Sequence, residues 1–317
     1  MTDNYGRIIK YLRLSVTERC NLRCRYCMPE EGVYKKRHCD MLSENEMISV
    51  VEAAARLGIN KLRITGGEPL VKKNIVSICQ RAAAIDGIDE LCITTNGTLL
   101  PELVYDLKNA GVNRINISLD TLSPDKYEYI TRRRGLDSSL KGIEAALNAG
   151  FDRIKINTVL IGGFNDDEIT TLAELSLKHP IDLRFIELMP MYDSGDFGDS
   201  AYISGDVVIK SLPELISLGN SDGVAKLYKL PGAVGNIGII SPVSNHFCGT
   251  CDRIRVTADG KVKPCLHSNV EYSLKGLDTD GMERVLKEAI LSKPYAHVPL
   301  SSKERSGSGR NMNEIGG

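Results

Sequence analysis

From residue 12 to residue 188 the chain alternates short β-rich apolar runs with longer stretches of helical period. The runs predict strands at Leu12–Val16, Lys61–Thr65, Glu90–Thr95, Arg114–Leu119, Arg153–Leu160 and Asp182–Leu188. Helices are predicted between them at about 44–57, 73–84, 101–109, 139–148 and 167–177. Local punctuation agrees. Ser43 with Glu46 three residues later is a capping-box pattern, and Pro101 stands where a helix begins. Asn165 or Asp166 is placed to cap the fifth helix, and Gly58, Gly111 and Gly150 fall where helices should stop. Six βα units in succession imply parallel strands with crossover helices. The fold class is therefore α/β, an incomplete (β/α)6 TIM-type barrel whose open side needs a cover.

After residue 190 the alternation fails. This divides the chain into a barrel region, 1–190, and a C-terminal region, 191–317. Residues 191–235 carry Gly, Ser, Asp and Pro clusters and say little. Residues 236–267 hold three cysteines around two short strands, and a helix follows at about 279–292. The stretch from Ser306 to Gly317 is rich in Gly, Ser and Asn, so its composition predicts a disordered tail.

A chain of 317 residues with 42% hydrophobic and 26% charged residues has material for a sizeable core. Its 40 basic and 41 acidic residues nearly cancel, so no whole-molecule field favours nucleic acid or a membrane surface. An anionic ligand would need a few local cations. No apolar run is long enough to span a bilayer, and Met1–Lys10 is polar, without a secretory core. A cytoplasmic location is expected, and nine cysteines there read as metal ligands rather than disulfides.

Cys20, Cys24 and Cys27 follow the first strand with spacing C-x3-C-x2-C, at the strand end where barrel enzymes place chemistry. Three thiolates can hold a [4Fe–4S] cluster and leave one iron open. Zinc prefers paired C-x2-C half-sites and closed four-ligand coordination, although His38 and Cys39 lie near. Gly66-Gly67-Glu68 closes the second strand. It reads either as a tight turn or as close backbone approach to a zwitterionic ligand, with Glu68 facing an ammonium. Cys248, Cys251 and Cys265 form a second triad. There zinc, with His246 or His267 as fourth ligand, and iron–sulfur are equally compatible with the spacing. Cys79 and Cys92 read as buried apolar residues, and Arg132–Arg134 as a solvated face or, alternatively, a phosphate contact.

The first triad, with Tyr26 before its last cysteine, resembles the signature of the radical S-adenosylmethionine superfamily. Both triads and the terminal Gly316–Gly317 together resemble the GTP 3′,8-cyclase family of molybdenum cofactor biosynthesis over nearly the whole chain. That resemblance implies two [4Fe–4S] clusters, the second meeting the guanine of GTP through an open iron. It implies S-adenosylmethionine at Tyr26, Gly67, Ser118 and Met189. It implies GTP at Arg13, Arg63, Thr94, Lys155 and the run Arg253, Ile254, Arg255, in which strand alternation puts both arginines on one face and Ile254 on the other. Converging cations suit a triphosphate. Most of these residues should line one barrel mouth, and the double-glycine end should reach into the site. The resemblance further implies an external one-electron reductant, a homodimer, and delivery of the product to cyclic pyranopterin monophosphate synthase. The alternative is another radical enzyme with an auxiliary cluster, acting on a peptide or a different small molecule.

Overall fold

Each of the six β-rich runs forms a strand, because each alternates residues that suit two different surroundings. β1 is Tyr11–Ser15, followed by α1 (Glu44–Arg56); β2 is Lys61–Thr65, followed by α2 (Ile75–Ala83). β3 (Glu90–Thr95) leads to α3 (Leu100–Asn109), and β4 (Arg114–Ser118) to α4 (Pro124–Thr131) and α5 (Leu136–Asn148). β5 (Ile154–Leu160), α6 (Ile169–Lys178) and β6 (Ile181–Glu187) complete the series. The computed structural model describes every residue except 34–35, 152, 192–196, 221–223, 302 and 317, and only the backbone of His38 and Asn220.

The C-terminal region adds α7 (Asp206–Ser211), β7 (Ile216–Asn220), β8 (Lys226–Lys229) and β9 (Asn236–Ile240). After them come β10 (Arg253–Val256), β11 (Lys261–Lys263), β12 (Tyr272–Ser273), α8 (Thr279–Leu291) and α9 (Met312–Ile315). Its strands continue the barrel sheet at both edges. The order is β12-β11-β10-β1-β2-β3-β4-β5-β6-β9-β8-β7, with β10 parallel to β1 and β9 parallel to β6. Eight parallel strands therefore wrap the lumen, two of them supplied from beyond residue 190.

On the outer face, Leu12, Leu14, Leu62, Ile64, Ile115, Ile117 and Ile156 pack beneath the helices and are buried. Each such side chain contributes roughly 1.5–3 kcal/mol by leaving water. The alternate positions are polar and face inward. A parallel sheet covered on both faces is usually apolar throughout, so this alternation marks a solvated or ligand-filled lumen rather than a packed barrel core.

The capping box at Ser43 and Glu46 is present, with Glu46 N–H on Ser43 Oγ and Ser43 N–H on the Glu46 carboxylate. Gly58, Gly111 and Gly150 take the positive φ that ends their helices. Two local expectations fail. Asn165 caps nothing. Fully buried, it donates to the Asp120 and Val159 carbonyls at 2.8 Å and accepts from Ile161 N, tying two βα loops together. α4 lies in a stretch with no predicted helix. Its start is nevertheless marked by Ser123, whose Oγ accepts from Lys126 N, and by Pro124 in the first turn.

Phe185, buried at the centre of β6, should be the costlier truncation. Phe185→Ala is expected to destabilise by about 3–5 kcal/mol, against about 1 kcal/mol for Ser43→Ala. Urea unfolding of both variants measures the difference.

Candidate active site

The lumen opens into one cavity of about 1030 Å3, at the upper end of the roughly 300–1,000 Å3 usual for single ligands. Both cysteine triads, the Gly66–Glu68 turn and inward residues of all eight parallel strands line it. The triads stand at opposite ends. Cys20, Cys24 and Cys27 follow the C-terminal end of β1. Cys248 and Cys251 precede the N-terminal end of β10, which runs parallel to β1 with Tyr11 opposite Arg253. Cys265 follows β11, antiparallel to β10, and so returns to that same end.

α4 holds the first triad in place. Its last carbonyls, on Ile130 and Thr131, would lack helical partners. They accept instead from Arg25 N and Arg23 N, both at 2.9 Å, in the loop between the cysteines. Arg132, left-handed at φ 53°, sends Nη1 to the Arg23 carbonyl at 2.8 Å, so it braces this loop and is not a merely solvated charge. Arg133 and Arg134 are exposed, as expected.

Burial pushes the thiols of the first triad up, Cys20 to about 11 and Cys27 to about 12, and the thiols oppose one another's ionisation. Such a donor set calls for a positive centre between its sulfurs. At the second triad the balance is reversed. Burial opposes ionisation of Cys248 and Cys251, but His297 beside Cys248, and Lys293 and Arg253 beside Cys251, outweigh it and lower both. Lys293 Nζ also donates to the Arg253 and Pro264 carbonyls at 2.8 Å, joining the two halves of this triad. His246 and His267 flank His297, with ring centroids 5.5 and 4.6 Å from it. Among the described residues no group of three or more His, Cys, Asp or Glu is arranged to hold a single metal ion.

Gly66 and Gly67 serve loop packing. A Cβ on Gly67 would lie 2.4 Å from the Arg19 carbonyl oxygen, and one on Gly66 would lie 2.6 Å from that of Thr17. The glycines let the second βα turn press against the first, and Gly67 N and Glu68 N bond to the Thr17 and Arg19 carbonyls. Glu68 is buried and pushed to about 7 by desolvation, against hydrogen bonds from Asn96 N, Leu70 N and Thr95 Oγ1. Tyr26 donates its phenol proton to Asp120 at 2.7 Å. Ser118 and Met189 line the cavity on the same side.

The cations lie deeper than expected. Arg255, Arg13 and Arg63 stand in register on β10, β1 and β2; Arg63 pairs with Cys92, so Thr94, in register with Asn116 and Lys155, begins a second row two residues further along β3. Arg253 begins β10. The set therefore lines mid-lumen and the second-triad end, not one C-terminal mouth. The Ile254 side chain faces away from the lumen, as strand alternation predicts: it is 1% exposed and packed in the outer core, so only its backbone lies between the two arginines. Sequence reasoning missed Arg184, whose inward position on β6 follows from the alternation Asp182-Leu-Arg184-Phe-Ile186. Among the described residues, buried Nε of Arg184 and Oδ1 of Asn116 and Asn157 have no hydrogen-bond partner, and Arg253 Nε has only a 3.7 Å ion pair with Asp252, so the lumen offers both donors and acceptors to a ligand.

The C-terminal stretch is ordered. Residues 312–315 form α9, Ile315 is fully buried, and the Gly316 carbonyl accepts from Arg255 Nη1 at 2.9 Å and Arg13 Nη2 at 3.5 Å. Gly316 fits because a Cβ there would meet Thr65 Oγ1 at 2.4 Å and because its φ is 83°. Gly317 lies outside the described residues.

Comparison with known proteins places these features. Residues 14–176 match the Radical SAM superfamily, and residues 181–299 match Molybdenum Cofactor Synthesis C. A protein of Alkaliphilus oremlandii named GTP 3′,8-cyclase is 47% identical over 323 residues, covering 100% of both chains. One of the same name from Alkaliphilus metalliredigens is 46% identical, again with 100% of each chain covered. Among solved structures, Streptococcus suis SuiB bound to S-adenosylmethionine superposes with TM-score 0.65 at 16% identity, over 86% of this chain and 65% of that one; this likeness is one of fold.

Lys155 ties the lumen to pH. Burial, and after it Arg184, lowers its ammonium to about 7. An anion bound there restores the proton, so binding takes up a proton above pH 7. Affinity for inorganic triphosphate should fall as pH rises from 7, by up to about tenfold per unit. Lys155→Met should bind more weakly at pH 7 with a flatter profile. Calorimetric titrations of both proteins check this, and equal slopes would sink the assignment.

Proposed function

The chain belongs to the GTP 3′,8-cyclase family of radical S-adenosylmethionine enzymes, and from that premise we propose how its residues divide the work. The reaction converts GTP to 3′,8-cyclo-7,8-dihydro-GTP in molybdenum cofactor biosynthesis, with two [4Fe–4S] clusters and S-adenosylmethionine as cofactors. When bound, the first cluster and S-adenosylmethionine supply the one-electron chemistry that opens the ribose C3′–H bond of GTP.

One observation carries the residue assignment: both triads open into the same cavity from opposite ends, with a cation-lined lumen between them. Cys20, Cys24 and Cys27 hold the first cluster. Tyr26, Gly67, Ser118 and Met189 seat S-adenosylmethionine at that end. Glu68, poised near neutrality by burial, becomes a full carboxylate when the methionine ammonium lies beside it. Arg13, Arg63, Thr94, Lys155, Arg184, Arg253 and Arg255 hold GTP, and Ile254 takes no part through its side chain. The arginines offer planar forks to phosphate oxygens. Cys248, Cys251 and Cys265 would hold the second cluster at the opposite end of the lumen, on the side of the base. Filling the lumen excludes water and fixes C3′ near one reactive centre, which is where selectivity against wandering radical chemistry arises.

The division of the chain follows. Residues 1–190 carry the S-adenosylmethionine end and residues 191–317 the second cluster and the tail. An external one-electron reductant, a homodimer and hand-over of product to cyclic pyranopterin monophosphate synthase complete the reading. No helix among the described residues is long and apolar enough to cross a membrane. Nine free cysteines suit a reducing, cytoplasmic setting.

Anaerobic reconstitution with iron and sulfide, then incubation with dithionite, S-adenosylmethionine and GTP, tests the reading by product analysis. Cys24→Ser is expected to abolish 5′-deoxyadenosine formation; persistence of that product would remove the first-cluster assignment. Replacing Cys248, Cys251 and Cys265 together should leave the first cluster's spectrum intact and eliminate cyclised product. Arg253→Ala and Arg255→Ala should each weaken GTP by roughly tenfold or more, and unchanged affinity in both would argue against the lumen as the triphosphate site.

A further inference from the structure

The C-terminal stretch is pinned at its start, where Ser306 N donates to the Pro190 carbonyl at 2.7 Å and Ser306 Oγ meets His267 Nδ1 at 3.0 Å, but it is poor in apolar anchors beyond that point. From Ser306 to Gly316, Ile315 is the one apolar side chain fully buried among the described residues. Apolar contact is non-directional, so a single isoleucine does not choose a register for a Gly- and Ser-rich segment. Yet the contacts beyond residue 310 depend on register. Asn313 Nδ2 reaches the Glu18 carbonyl at 3.4 Å, and the Asn313 backbone N–H faces Cys27. Gly316 occupies a place where any Cβ would collide with Thr65. A slip of one residue would drive Ile315 into that place.

Four residues beyond Ser306, Arg310 adds a second directional anchor, next to the residues whose register matters. Its Nε and Nη2 grip both oxygens of Glu271, at 2.6 and 2.7 Å, and its Nη1 lies 3.1 Å from each oxygen of Asp259. Asp259 also accepts from Lys36 at 2.8 Å, and Lys36 continues to Glu18 at 2.6 Å, two residues before Cys20. Lys263, with its side chain fully buried, braces Glu271 at 3.2 Å. The network thus links the tail, the β10–β11 turn, the approach to β12 and the loops on both sides of the first triad. A planar guanidinium satisfied on three sides has one seat.

We propose that Arg310 is a positioning residue for the cyclisation: it sets the register of the C-terminal segment, and so places Gly316 against Arg13 and Arg255 and couples that seating to the first-triad loop. The functional half rests on the reading of those arginines as GTP ligands.

The test uses reconstituted holoenzyme carrying Arg310→Gln, Arg310→Lys or Glu271→Gln. In Arg310→Gln, hydrogen exchange of amides 311–316 should accelerate at least about tenfold, while amides of β1–β6 keep wild-type rates and so report an intact fold. The kcat for cyclised product should fall by ten- to about a hundredfold. KM for S-adenosylmethionine should hold, with 5′-deoxyadenosine now formed in excess of product. Arg310→Lys keeps the charge without the fork and should behave like Arg310→Gln. Glu271→Gln should shift exchange and kcat in the same direction by less. Unchanged exchange at 311–316 overturns the anchor. A released segment with wild-type turnover and coupling overturns the positioning role. If wild-type holoenzyme makes no cyclised product from GTP, the functional reading fails, and the exchange rates still judge the anchor.

Discussion

Burial of cations beside one another, first through lost hydration and then through mutual repulsion, is the constraint on which this lumen depends. Burial and Arg255 weaken Arg13's hold on its proton, burial and Arg253 bring Arg255 to about 10, and burial and Arg63 bring Arg184 to about 10. Guanidinium groups do not give up their protons in proteins, so these shifts measure an unfavourable field rather than neutral arginines. Counter-charge comes from Asp182, beside Lys155 and Arg184, and from Glu90, which pairs with Lys61 and Arg114 at 2.6 and 3.1 Å. Tyr11 is drawn in as well. Burial opposes its ionisation, but Arg63, Arg13 and Arg253 around it lower the phenol. A polyanion held among these groups offsets the repulsion of the whole set at once.

A barrel can sustain such an interior only if its outer layer supplies the stability. The apolar half of every strand does so, packed under helices that carry matching stripes, such as Met47, Val50, Val51 and Ala54 of α1. The same alternation that buries Leu12 and Leu14 presents Tyr11 and Arg13 inward. Core and site are two faces of one pattern, with period two. Ile254 illustrates the rule. It lies between two lumen arginines and belongs wholly to the core.

The two cysteine triads need each other's distance. One follows a strand and the other precedes its parallel neighbour, so the length of β1 and β10 separates them and leaves the lumen for ligands. Their surroundings differ to match. The first lies among groups that resist thiolate charge, and the second beside Lys293 and His297, which favour it. The C-terminal segment reaches from one environment toward the other, with Asn313 beside Cys27 and Gly316 on Arg255.

Much of this was legible in residue order. The six strands, five of the helices between them and both triads follow from period and spacing, because those signals depend on neighbours a few positions apart. Arg184 and the polar face of the lumen were equally legible, in alternations such as Lys61-Leu-Arg63-Ile-Thr65. α4 was marked by Ser123 and Pro124, but its polar, weakly amphipathic sequence hid it. What no local signal carries is pairing across the chain. That β10 lies beside β1, some 240 residues away, put the triads at opposite ends of the lumen. That Arg310 meets Glu271 and Asp259 ordered a segment whose composition points to disorder. Both are contacts between distant residues, formed only once the sheet has brought its edges round, so tertiary structure alone decided them.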